Sequence, residues 1–544
     1  MNQLTPIDRV PPEVLLQIFS WATLIDKPMS RYLGWVQTVT HVCQLWRHIA
    51  LESATLWTTI RTDMGTKWAE EMLRRSRSAT VEIHHSSWST LPWDDFLDRY
   101  LALPDNLQSI RVIDLRGQEQ LLEYLSAPAP SLETLKIIHY DVFGVRPDNS
   151  LALPSNIFAS HAPRLQEIYL SHCSIPWDSP IFHHNLILLT IHVQISETTP
   201  SVSQFEGLLR RTPILEELTI AHAIPSASSS RLRSVDPVVE LLQLKVLSLC
   251  GDIPDMLQVL ERVAIPPTTT LKLICHPLFD ADLHHFEVIP ILAARMDTPS
   301  YANLPLELRV TRQNVILRIS LSAFMPVAGR SEPKLHNVFT LESHMDDIIP
   351  FLTALFQHLP RHRITSLFLD FSGCGPALFT DDVWSALFWR MRNVSHLELR
   401  NLLGDEPDLR SDAESLIPLD ISRPIEHENL QFEPRRRRES DSDPAAAKIK
   451  RPIFPVLHTL LLSHIKIYRA RERLVVGFLK KMARDMEWRR LSECAIEELI
   501  IEDELGALDE MIGTEEDAVV FDRLKRVVRD VRIVSGHSGT QFGI

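Results

Sequence analysis

One phrase recurs along this chain and limits what it can fold into: an apolar residue, a second one three positions on, and a third two positions after that. Four copies carry a proline two residues ahead of the first: Pro130/Leu132/Leu135/Ile137, Pro163/Leu165/Ile168/Leu170, Pro213/Leu215/Leu218/Ile220 and Pro455/Leu457/Leu460/Leu462. Copies without the proline lie at Leu186/Leu189/Ile191, Leu244/Leu247/Leu249, Val394/Leu397/Leu399 and Ile496/Leu499/Ile501. Looser versions stand at Leu107/Ile110/Val112 and Ile364/Leu367/Leu369. The last two apolar positions share one side of a short strand, and the first enters the same core from the turn before it. Proline has no N–H and disfavours helix in the residue preceding it, so it stops the previous helix and releases the chain into the strand.

Between these strands, residues 201–213, 255–263, 346–360 and 380–391 have helical spacing and open on a polar or acidic residue suited to a helix N-terminus. Strand then helix, repeated at intervals of about 20 to 40 residues, predicts an α/β fold with parallel strands and helices on the other face. Each unit leaves an apolar side that only its neighbours bury, which predicts a stack. The phrase resembles the leucine-rich repeat, L-x-x-L-x-L-x-x-N/C; the copy beginning at Leu165 reaches the terminal Cys at Cys173, and the others lack that ladder. This resemblance implies an irregular leucine-rich-repeat-like α/β solenoid over 104–403, with last repeats and a cap over 453–544. An irregular α/β domain with leucine-rich strands remains the other reading. Residues 304–310 and 314–321 alternate and read as two strands, in a hairpin or in irregular repeats. Residues 521–533 read as a closing helix or strand.

The N-terminal stretch has a different character. Val14, Leu15, Ile18, Phe19 and Ala22 recur at helical spacing with Leu16 on another side, which is more apolar surface than a helix of this length needs for one buried stripe. Val36, Val39, Val42, Cys43, Trp46, Ile49 and Ala50 then repeat at threes and fours, and Trp57 follows a short connection. Small helices with so little interior call for a covering partner. The order PPE-x-LL-x-IF, spacer, V-C-x-x-W-R-x-I-A, then LW, from Pro11 to Trp57, resembles an F-box. F-boxes are small all-helical modules that dock on the Skp-type adaptor of cullin-RING ubiquitin ligases. The resemblance therefore implies an F-box over 1–60, with Pro11, Pro12, Ile18, Phe19, Val42, Cys43, Trp46, Ile49 and Trp57 carrying the adaptor contact or the packing that shapes it. Residues 61–103, with a helical patch near Trp68 and a strand near Val81, join this module to the repeats.

Composition narrows the function classes. The net charge of -14 offers no general electrostatic footprint for nucleic acid. With 16 glycines among 544 residues and no glycine-rich phosphate-loop string, nucleotide loops are not expected. Neither a secretion-type leader nor an apolar run of about 18 to 20 residues is visible, which predicts a cytoplasmic or nuclear chain with no membrane partner. The cysteines Cys43, Cys173, Cys250, Cys275, Cys374 and Cys494 are scattered and read as reduced, mostly buried thiols. The pairs His84/His85, His183/His184 and His284/His285 read as surface or loop histidines, because neighbours on a strand face opposite sides. No catalytic fingerprint, cofactor or metal is predicted.

Residues 404–452 have few large apolar side chains and clustered charge of both signs, which predicts a disordered insertion. Within it Arg435, Arg436, Arg437 and Arg438 suit either a nuclear-import patch or a plain solvated charge run, with Ser440 and Ser442 nearby as phosphorylation candidates. The combined expectation is a non-enzymatic substrate-recognition subunit: the F-box holds the adaptor and cullin, and the repeats hold an unknown protein target. The target side would use the residue between the last two apolar positions of each phrase, namely Lys136, Tyr169, Thr219, Ser248, Phe368 and Glu398. An interaction scaffold outside any ligase is the alternative.

Overall fold

The computed structural model describes residues 10–29, 32–86, 96–116, 120–139, 151–174, 176–193, 199–226, 238–275, 285–313, 315–327, 329–330, 332–345, 348–370, 387–388, 390–400, 454–465, 472–503 and 515–535. The expected insertion at 404–452, with its arginine run, lies outside them, as does most of the helix expected at 380–391. The chain divides into two compact units, residues 1–269 and 270–544.

The first unit opens with three helices, α1 (Pro12–Ile25), α2 (Trp35–Thr40) and α3 (Gln44–Glu52). An eight-stranded parallel sheet follows, in chain order. It begins with β1 (Thr59–Arg61), β2 (Val81–Ser86), β3 (Ile110–Arg116) and β4 (Thr134–Ile138), and continues through Glu167–Ser171, Leu188–His192, Glu217–Ala221 and Val246–Gly251. The sheet thus starts where the two expected segments meet, and its second strand lies inside the stretch that reads as a joining segment, with α4 (Thr66–Ser76) crossing between the first two strands.

The recurring phrase explains this geometry. Leu132, Leu165, Leu215 and Leu457 each donate their N–H to the carbonyl three residues back, on Ala129, Ala162, Thr212 and Phe454, at 3.1, 3.1, 3.4 and 3.3 Å. The proline of the phrase is the second residue of that turn, where its fixed φ is already correct. The turn sends the first leucine inward and starts the strand. The next two apolar positions then line up across the sheet, Leu135, Ile168, Leu189, Leu218 and Leu247 in one row and Ile137, Leu170, Ile191, Ile220 and Leu249 in the next, all buried. Each buried aliphatic contributes about 1.5–3 kcal/mol. Helices Val202–Arg211 and Ile253–Arg262 turn apolar residues inward too, and the first begins with a full capping box between Ser201 and Gln204. They are tied together by the buried Glu206 carboxylate, which accepts from Arg210 at 2.8 Å and Arg262 at 2.9 Å.

One copy of the phrase is read out of register in the sequence. In β3 the inward residues are Ile110, Ile113 and Leu115, while Val112 is half-buried on the other side. A bulge between Val81 and Glu82 adds one residue to the partner strand's side of this pairing, so the alternation restarts at Ile113.

In the second unit the two strands expected near 304–321 take the hairpin form within an otherwise mostly parallel arrangement. Leu306–Gln313 and Ile316–Met325 form an antiparallel hairpin, and Lys334–His344, not expected from the sequence, pairs antiparallel with the second arm. Parallel strands flank this insert: Thr270–Cys275 pairs with Lys334–His344, and Ile364–Asp370 with Leu306–Gln313. From there His396–Arg400, Thr459–Ile465, Glu498–Asp503 and Asp530–Ser535 continue in parallel. The closing segment is a helix, Glu515–Val527, followed by that last strand. The architecture is α/β: a helical N-terminal region followed by a large, mostly parallel strand sheet with helices. None of the described helices is long and apolar enough to cross a membrane.

Candidate functional site

Residues 10–57 fold around a small aromatic core. Leu15 and Phe19 of α1 are fully buried, and the Phe19 ring lies 5.0 Å from that of Trp46 on α3. Trp35 meets Trp57 edge-on at 5.1 Å, and the Trp57 indole N–H donates to the Ala50 carbonyl at 2.8 Å. The Arg75 guanidinium of α4 covers the Trp57 ring at 4.6 Å, and Arg77 pairs with Glu52 at 2.8 Å, so the helical module is fastened to the first strands of the sheet. Cys43 caps α3, its Sγ accepting the Trp46 N–H at 3.5 Å.

Described residues on either side of the spacer meet at Asp26, whose carboxylate accepts from the Tyr32 hydroxyl at 2.6 Å and the Thr38 hydroxyl at 3.3 Å. Gly34 passes so close that an added Cβ would stand 2.4 Å from the Asp26 carbonyl, and its φ of +52° excludes most other residues.

What this module leaves uncovered is a long apolar face. Val14, Ile18, Trp21 and Ile25 follow one another at four, three and four residues along α1, and Leu24 adjoins them; Trp21, Leu24 and Ile25 are 65%, 67% and 86% exposed. Val42 and Leu45 at the start of α3 are exposed as well. Of the residues expected at the adaptor contact, Pro11, Pro12, Ile18, Val42 and Cys43 are exposed, Trp46 and Ile49 half-buried, and Phe19 and Trp57 buried as packing. Sequence reasoning did not nominate Val14, Trp21, Leu24, Ile25 or Leu45. The signal was present in the surplus of apolar residues on α1, which a single buried stripe through Leu15 and Phe19 cannot use.

The residues expected on the target side fall into two rows, one in each unit. Lys136, Tyr169, Thr219 and Ser248 are direct register partners through Thr190, on the sheet face opposite the aliphatic rows. The row extends back through Asp114 and His84 to Arg61, three positions the phrase did not flag. Phe368 and Glu398 pair with each other in the second unit, where Phe368 is buried under the guanidiniums of Arg309 and Arg400, 4.9 and 4.7 Å from its ring.

At the β2–β3 end of the first row, charges are dense. His84 lies 3.4 Å from Asp114 and 3.5 Å from Glu82, Arg116 reaches Asp114 at 3.1 Å, and Arg111 pairs with Glu82. Burial pulls the His84 pKa down, but its bonds to Asp114 and Glu82 outweigh it and hold it above the ordinary value. Asp114 is held down to about 2: burial opposes this, and the bonds to His84 and Arg116 prevail.

His85, on the opposite face, corrects the surface reading of the histidine pairs. It takes an aliphatic position beside Leu115, is 8% exposed, and hydrogen-bonds Thr62 Oγ1 through Nδ1 at 2.7 Å. Burial lowers it to about 4. His285 is likewise buried, 2.6 Å from Ser343 Oγ. Because His85 is neutral in the fold and titrates at an ordinary 6.5 when unfolded, its contribution to stability is complete above pH 6.5 and is lost as pH falls towards about 4. His84, with its raised pKa, acts in the opposite sense and loses its contribution as pH rises. The melting temperature of the chain is therefore expected to fall between pH 6.5 and 4, and His85→Leu to flatten that fall. An equal slope in the variant would assign the acid sensitivity elsewhere.

Among the described residues no group of three or more His, Cys, Asp or Glu side chains is placed to hold a metal ion. The Cys173, Cys250 and Cys275 thiols are buried, Cys43 is exposed, and Cys494 is intermediate.

No curated protein matches the chain. Residues 7–63 match the family model described as F-box-like, a span that holds α1, α2, α3, Trp57 and β1. The core around Phe19, Trp46 and Trp57 and the open apolar face on α1 thus belong to an F-box-like domain, which is the part of the chain that this family covers.

Proposed function

We propose that this chain is the substrate-recognition subunit of an SCF-type cullin-RING ubiquitin ligase. F-box domains bind Skp-type adaptors, and the observation that carries the reading is the uncovered row Val14, Ile18, Trp21, Ile25 on a helix whose other side is locked into the domain's own core. A continuous apolar helix face of this kind suits docking on a helical partner. The strand-rich remainder would hold a protein target, with the solenoid-like use of its sheet face that the repeats suggest, and with residues 404–452 as an insertion between repeats. The chain itself would catalyse nothing. Holding target and adaptor on one body raises the effective concentration of the target's lysines at the ligase, which is catalysis by tethering. The Arg75 and Arg77 contacts support this use, since they join the module to the sheet without a flexible linker.

Co-purification tests the reading. The full chain should retain both adaptor and cullin, and a chain lacking residues 1–60 should retain neither. Adaptor without cullin would contradict the ligase reading in favour of a scaffold.

A further inference from the structure

The polar face of the first unit's sheet is not uniform. Across the five strands from β4 to Val246–Gly251, two adjacent rows, one running from Lys136 to Ser248 and the other from Ile138 to Cys250, contain no carboxylate at any position. The chain as a whole has 70 acidic against 56 basic residues, and acids border this strip on the same face, Glu167 and Glu217 in the row before it and Asp114 beside Lys136, so the two rows form an acid-free strip between them. At one end of it stand two groups suited to a carboxylate. The Lys136 ammonium makes no ion pair within 4 Å among the described residues, feels the Asp114 carboxylate on the next strand at longer range, and rests over the Tyr169 ring at 5.1 Å. Tyr169 is half-buried, edged by the His192 ring at 5.6 Å, and its hydroxyl has no hydrogen-bond partner among the described residues. Burial raises this phenol's pKa, so it is a donor, and the Arg116 charge reaches it from the next strands. Beyond them the floor is low: Thr190, Ser171 and Ser248 are all under 10% exposed, and none carries a side chain that would hold an extended backbone away.

The corresponding row of the second unit lacks this character. Arg309 and Arg400, the cations beside Phe368, are each bound by a carboxylate of their own strand, Glu307 and Glu398, at 2.5 and 2.8 Å.

We propose that this face binds an acidic, extended segment of the protein target, with a glutamate or aspartate carboxylate held between the Lys136 ammonium and the Tyr169 hydroxyl and the following residues lying across the Thr190, Thr219 and Ser248 hydroxyls. The proposal rests on reading the sheet as the target-holding part of the molecule and names the chemistry it accepts. Five strands at a spacing of about 4.8 Å span roughly 19 Å, the length of about six extended residues. Lys136 and Tyr169 give the charge and the orientation, and the hydroxyl floor gives donors without further selectivity.

The test uses the full chain with its adaptor and three fluorescein-labelled probes of equal length: octaglutamate, octalysine and a Ser-Gly repeat. Anisotropy should detect octaglutamate in preference to the other two, with affinity falling as salt rises. Lys136→Glu should weaken it at least about tenfold and Tyr169→Phe, which removes one hydroxyl and leaves the packing, about threefold. Lys525→Glu, an exposed helix position in the other unit, should leave it unchanged. Octaglutamate binding that survives Lys136→Glu, equal loss in Lys525→Glu, or a preference for octalysine would overturn the proposal. Adaptor retention, measured on the same samples, separates the two readings. Its loss with Lys136-dependent peptide binding intact would sink the ligase reading alone, and its retention with Lys136-independent binding would sink this one alone.

Discussion

Ile18→Glu is expected to abolish adaptor binding while leaving the chain folded. Ile18 lies in the middle of the uncovered row on α1, 40% exposed, between Val14 and Trp21. A carboxylate there can reach water in the free chain, so the melting temperature and helical content should stay close to those of the parent. In the complex the same carboxylate would be buried without a partner, a penalty of several kcal/mol that an apolar interface cannot offset. Loss of an anchoring side chain at the centre of an interface costs roughly 2–4 kcal/mol by itself, so affinity should fall by more than about a hundredfold. Adaptor binding in Ile18→Glu within a factor of three of the parent, measured by titration calorimetry, would remove α1 from the contact.

The neighbouring substitution should behave in the opposite manner. Phe19 is fully buried and packs on Trp46, and its removal leaves a cavity where the three helices meet. Phe19→Ala is expected to cost about 3–5 kcal/mol. A module of three short helices has little else to draw on, since Leu15, Ala50 and the Trp35–Trp57 pair make up most of the remaining interior. Adaptor binding should be lost here because residues 12–52 unfold. Hydrogen exchange would report it as fast exchange confined to α1, α2 and α3 while the strands from Thr134 onwards stay protected. Protection of α1 equal to the parent's would place the stability of the module elsewhere. Two adjacent residues thus give the same binding phenotype by different causes, and only the second is visible in the free protein.

Most of the sheet was legible because its signal is short and repeated. Every well-formed copy of the phrase, from Leu135/Ile137 to Leu499/Ile501, is a strand with those two residues buried. The misreading at Val112 came from a bulge, which shifts alternation by one residue and leaves no mark in composition. Lys334–His344 was missed because the N-terminal part of this strand is partly exposed on both faces and carries little alternation to read. The long helix Glu472–Leu491 was missed because Gly477 and a run of charged residues dilute its periodicity. At the candidate sites the causes differ. Motif positions drew attention to Ile18 and Trp46 and away from Trp21 and Ile25, whose exposure follows from which stripe of α1 is buried. His85 occupies the third inward position of Val81-x-Ile83-x-His85; that two strand neighbours face opposite sides puts one of the pair His84/His85 in the core, which reading them together as surface residues overlooked. The relation among Lys136, Tyr169, Thr190 and Thr219 needs strand register, which no single stretch of sequence carries.

The central claim is that the apolar face of α1 and the start of α3 is where the adaptor sits. Hydrogen exchange of the full chain, with and without a saturating Skp-type adaptor, tests it most directly. The account predicts added protection within residues 12–52, concentrated on α1 and around Val42 and Leu45, and none in the strands from Thr134 onwards. Protection of those strands with residues 12–25 unchanged would contradict it.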